Sequence, residues 1–222
     1  MQSNTAALFN SGPAMRLLEI ALRAQDPSGG VTLDDELRRY VRVIRSVRTA
    51  EWNCSAYTAA GLLDLIAELL SSPSPEPLSK DFLERLDRAA EGIAPAEYLR
   101  TLAGVVRLVD REPTAGYREV PMGGWEADLA FPMLGGFTMV LDESMGPTAE
   151  SAASYAGGEH PYCREFLASL AAEAHRALVL FPDAAALRAN LWPAIPWISA
   201  DLLRELLRAV DDHLLREHTG DQ

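Results

Sequence analysis

Apolar residues recur at helical spacing from Met15 to Val109 and again from Phe166 to Leu214, and between residues 111 and 160 that pattern is lost. A chain written this way folds as packed helices, because each amphipathic segment must bury its apolar stripe against another element. The break constrains the fold as much as the periodicity does. Irregular stretches longer than roughly 12–15 residues are uncommon inside compact domains and are usually functional or disordered. Functional groups also concentrate on segments held by a rigid scaffold.

The helices announce themselves by their ends. Pro13, after Gly12, suits the first turn of a helix that runs to the Asp26-Pro27-Ser28-Gly29-Gly30 stop. Thr32 can cap a second helix, with Asp34, Asp35 and Glu36 in its positive first turn and Leu37, Tyr40, Val41 and Ile44 along one face. Ser55 caps a third, in which Leu62, Leu63, Leu65, Ile66, Leu69 and Leu70 cover much of the circumference and predict deep burial. Three prolines at 73, 75 and 77 end it and make an inter-helix connection. Ser79 and Pro95 open two more helices, and Pro161, Asp183 and Ser199 open three after the break. The fold class is therefore mainly α: a single-domain bundle of seven or eight helices over residues 1–222.

Residues 111–160 read as an irregular acidic insertion within that domain. Three Gly-Gly pairs and four prolines punctuate it, and Asp128–Phe131 and Phe137–Leu141 alternate in the manner of short strands. With Pro132-Met133-Leu134-Gly135 as the turn, the pattern predicts a small β-hairpin insertion around residues 117–142. The insertion carries eight acidic residues against Arg111 and Arg118 alone, half of the chain's net charge of −12.

That overall charge disfavours nucleic acid, whose binding depends on Lys and Arg displacing phosphate counterions, and equally an anionic membrane surface. No apolar run approaches the roughly 18 residues of a membrane span, and the N-terminal residues lack the features of a signal peptide, so a cytoplasmic location is expected. Lys80 is the only lysine; with the wealth of Ala, Leu and Arg this matches the codon bias of a GC-rich, bacterial genome. Two cysteines, Cys54 and Cys163, are too few for a disulfide framework and are expected as buried thiols.

Catalytic signatures are sparse. None of His160, His175, His213 and His218 has a Glu three residues before it, and no zinc-protease, Cys-x-x-Cys, phosphate-loop or Gly-x-Ser-x-Gly pattern occurs. Neither metal ligands nor a cofactor are assigned on sequence grounds. Glu159-His160-Pro161-Tyr162-Cys163 places a carboxylate, an imidazole and a thiol at a helix start, where a thiolate is favoured. Asp128, Asp142 and Glu143 would share the hairpin and could hold Mg²⁺ or Ca²⁺, or divide acid and base roles. Asp64 and Glu68, one turn apart on an apolar helix, call for an arginine partner or an exposed edge. Arg38, Arg42 and Arg45 line one face of the second helix, either as a solvated face pairing with neighbouring Glu residues or as an anion site.

Two functional expectations follow. The first is an acidic protein-binding module, of inhibitor or immunity type, that engages a cationic partner through Trp125, Glu126, Asp128, Asp142 and Glu143. The second is an enzyme with the insertion as an active-site lid, using His160 and Cys163 or the hairpin carboxylates, with or without a metal. A homodimer through the Trp192–Trp197 corner is a third, structural reading.

Overall fold

The computed structural model describes residues 10–46, 54–72, 78–137, 154, 157–158 and 163–218. It is mainly helical, and no strand occurs among the described residues. Contacts cluster into two compact units, Met1–Gly116 and Tyr117–Gln222, each with its own buried core. The sequence reads as one domain with an insertion; the dividing point between the units lies inside that insertion.

The N-terminal unit contains α1 (Pro13–Ala24), α2 (Leu33–Ser46), α3 (Ala56–Leu70), α4 (Lys80–Ala90) and α5 (Pro95–Arg111). The expected caps are in place. The Ser55 and Ser79 hydroxyls accept from the backbone N–H of Thr58 and Phe82, and Asp35 N–H donates to Thr32 Oγ1. Each satisfies a helix-end donor that has no partner within the helix. Helices α3 and α5 form the most extensive pair, with the start of α3 beside the end of α5: Arg107 pairs with Asp64 and lies over the Tyr57 ring. Asp64 thus has the arginine partner it requires, while Glu68 is exposed. Burial of α3 is one-sided: Ala59, Leu63 and Ile66 are in the core, whereas Tyr57 and Leu65 face solvent.

The arginine face of α2 is an internal clamp. Arg42, only 4% exposed, donates to Ala115 O, and Arg45 donates to Asp110 O, Glu112 O and Thr114 Oγ1. Arg38 bridges Asp34 and the Glu112 carboxylate at 2.7 and 2.6 Å. These forks satisfy carbonyls left open where α5 ends, a task for which planar guanidinium suits better than ammonium. Lys80, by contrast, is extended into solvent with a loose contact to Glu84 at 3.3 Å.

The C-terminal unit contains α6 (Gly124–Ala130), α7 (Pro132–Phe137), α8 (Cys163–Leu180), α9 (Ala184–Leu191) and α10 (Ala200–Glu217). The expected hairpin at 117–142 is not seen. Residues 124–130 and 132–137 are two short helices, and residues 138–142 lie outside the described residues. The physical reason is visible in the burial: Ala127, Ala130, Phe131, Leu134 and Phe137 are all inside, a helical spacing of three, four and seven. Alternation over five residues cannot separate the two structures. Phe131 meets Phe181, and Phe137 meets Trp197 edge-on at 5.3 Å, so this stretch supplies core. The Trp192–Trp197 corner turns inward at Ile195 and leaves Trp192 part exposed under Arg188.

Helix α7 is held at its start by Glu173, whose Oε2 accepts from the backbone N–H of Met133 and Leu134, both at 2.9 Å. Burial raises the Glu173 carboxyl above its ordinary value of 4.5, against the opposing pull of those two donors and of Arg176. A carboxyl raised on folding contributes stability that is present in full below its unfolded value and is lost as pH rises through the folded value. Glu173→Gln removes the titration while keeping an acceptor. Its stability relative to the parent should therefore improve with rising pH above the unfolded value, as read by urea unfolding between about pH 4 and about pH 8.

Candidate metal centre

Helices α8 and α10 pack against each other more extensively than any other pair in the C-terminal unit, and they run in opposite directions. The stripe that brings them together is Leu167, Leu170 and Ala174 on one side and Leu203, Leu206, Leu207 and Val210 on the other. Antiparallel packing sets the first residue of α8 beside the last turn of α10. Those positions are occupied by Cys163 and by His213 and His218.

The Cys163 Sγ lies 2.9 Å from His218 Nε2, and the two imidazole rings meet edge-on with centroids 5.7 Å apart. One donor atom from each of the three residues falls within 4.8 Å of the others. Residues five apart on a regular helix point about 140° apart, too far to share a ligand. His218 escapes this limit because it is the C-cap, with φ −125° and ψ 7°, while its N–H still bonds Leu214 O.

The donor set is chemically selective. One thiolate and two imidazoles suit zinc and related borderline ions, not the oxygen-seeking Mg²⁺ or Ca²⁺. A tetrahedral zinc ion separates its S and N ligands by about 3.6 Å, given bonds of about 2.3 and 2.05 Å. The Cys163–His218 pair would open by about 0.7 Å to reach that separation, and the set as a whole, within 4.8 Å, would draw in by about 1 Å or more.

Nucleophilic use of the same thiol is less well served. A Cys–His contact of this length is within reach for proton transfer, but Cys163 is 0% exposed and sits in the apolar cluster with Leu167 and Leu206. A substrate carbonyl could not approach it without opening the unit.

The residues singled out in the sequence are dispersed. Trp125 is half-buried and Asp128 exposed on α6, while Glu126 is buried at 1% exposure. Asp142 and Glu143 lie outside the described residues, as do Glu159 and His160. His175 is exposed on α8. Cys163 is the one expected reactive group that gains described partners, and those partners, His213 and His218, are ones that spacing alone did not join to it. Cys54, in the N-terminal unit, is half-buried, and burial pushes its thiol up.

Comparison with known family models, with curated proteins and with solved structures gives no match to this chain. No helix among the described residues is long and apolar enough to cross a membrane.

The different exposures of the two thiols have a direct readout. Alkylation of metal-free native protein should label Cys54 first, with Cys163 slower by roughly tenfold or more because its reaction requires local opening. Peptide mapping after timed iodoacetamide treatment measures this, and equal rates would contradict the burial of Cys163.

Proposed function

We propose that the C-terminal unit binds a divalent transition-metal ion, zinc by the chemistry of its donors, through Cys163, His213 and His218. The observation that carries this reading is the convergence of three Cys and His donor atoms within 4.8 Å from the ends of two packed helices. Such a cluster is the three-protein-ligand arrangement that zinc accepts, with a further position left for another donor. A cytoplasmic setting, expected from the sequence, would keep the sulfur reduced and able to coordinate.

Cobalt is the direct probe, because thiolate ligation gives Co²⁺ a near-ultraviolet charge-transfer band and tetrahedral geometry gives intense visible bands. The reading expects one Co²⁺ per chain with both signatures, displaced by Zn²⁺. Cys163→Ser should abolish the charge-transfer band, and His218→Ala should weaken binding by roughly 100-fold. Octahedral, weak visible bands with no sulfur signature would refute it.

A second reading keeps the acidic docking surface for a cationic protein, now without the hairpin. Asp128 and Glu119 are exposed and Trp125 is half-buried near the start of the C-terminal unit, which favours it. Burial of Glu126 removes one of its five contact residues. Contact through exposed charges weakens as salt screens them. A captured partner should therefore be released between about 0.05 and about 0.5 M salt, and by Asp128→Asn. A partner retained equally at both salt levels rules out this route.

A further inference from the structure

We infer that metal occupancy controls the folding stability of the C-terminal unit: the ion acts as a clamp between the start of α8 and the end of α10. The inference rests on the metal reading above and concerns what binding does.

Three observations carry it. The ligands are inside the unit, with Cys163 at 0% and His213 at 6% exposure, and only His218 is half-buried. Cys163 belongs to the same apolar cluster as Phe137, Leu167, Leu206 and Val210, so the ligand sulfur is part of the core that folding assembles. Finally, Cys163 and His218 are 55 residues apart, and the whole of α8, α9 and α10 lies between them or ends at them.

Metal bonds across such a loop can form only once folding has brought its ends together. No preformed site exists in the unfolded chain, so the free energy of binding becomes free energy of folding. A catalytic centre has the opposite requirement, an accessible face for water and substrate. Two ligands sealed in apolar packing leave His218 as the only exposed side. Burial of two of the three ligands therefore favours a structural task for the ion, with its fourth position left to a further donor.

No ligand comes from α1 to α5, so the effect is confined to the C-terminal unit. The site joins the point where the chain enters α8 to the point where it leaves α10. Removing the ion loosens both ends together.

Hydrogen exchange on the full-length chain tests this, comparing chelator-treated protein with the same protein in excess Zn²⁺. Zinc at about 100 times its dissociation constant should slow exchange in α8 and α10 by roughly 100-fold where exchange needs unfolding of the unit. Helices α3 and α5 should be unchanged. Tryptophan fluorescence on heating gives a second readout, since three of the four tryptophans are in residues 117–222. Its transition should rise by roughly 10 °C.

Cys163→Ser should bind no zinc at that concentration and show no slowing. If that variant is unfolded from the outset, His218→Gln, at the half-buried ligand, takes its place. Zinc bound with unchanged exchange overturns the clamp and leaves the metal reading standing. Equal slowing in both units also overturns it. Failure to bind either Co²⁺ or Zn²⁺ overturns both.

Discussion

The antiparallel packing of α8 on α10 is the constraint from which the chemistry of the C-terminal unit derives. Hydrophobic contact between Leu167, Leu170 and Ala174 and the Leu203–Val210 stripe is non-directional, but it fixes which ends meet. With the register set, the first residue of one helix lies beside the last turn of the other. Cys163, His213 and His218 converge because leucines and alanines elsewhere have been packed. The polar site is a consequence of the apolar seam.

In the N-terminal unit the comparable organising force is electrostatic. Arg38, Arg42 and Arg45 project from α2 onto the stretch from Asp110 to Ala115, where α5 has ended and its carbonyls lack helical partners. A protein with net charge −12 would be expected to display its arginines as solubilising groups. Here several are cross-links, with Arg42 almost fully enclosed. The expected pairing with Glu occurs at Arg38 and Glu112, whereas the expected solvation does not hold for Arg42, which is buried. Nor was it expected that backbone oxygens, those of Asp110, Glu112 and Ala115, would be among the acceptors.

Eight helices were legible because each had a start signal, a capping residue or a proline, followed by periodic apolar residues. Ser55, Ser79, Asp183 and Ser199 each cap the helix they were expected to open. Helices α6 and α7 were not legible by the same signs. Each is seven residues or fewer, Gly123 and Pro132 resemble turn punctuation, and a five-residue alternation fits either structure. The signal that distinguishes them runs across the proline: Ala127, Ala130, Phe131, Leu134 and Phe137 are spaced for a helix when read as one series. The candidate ligands Cys163, His213 and His218 were hidden for a different reason. Cys163 attracts notice beside His160, a near neighbour in sequence, whereas its described partners are 50 residues on, and tertiary packing alone unites them. A pair of histidines astride a helix C-terminus was the available hint.

The arginine-dominated chemistry of the chain leaves one side-chain amine, on Lys80 at the exposed beginning of α4. Reagents that acylate primary amines will therefore find a single internal address, on the N-terminal unit and remote in sequence from Cys163, His213 and His218. A fluorophore or surface tether introduced there would report on the whole molecule without disturbing a single guanidinium clamp or the thiol.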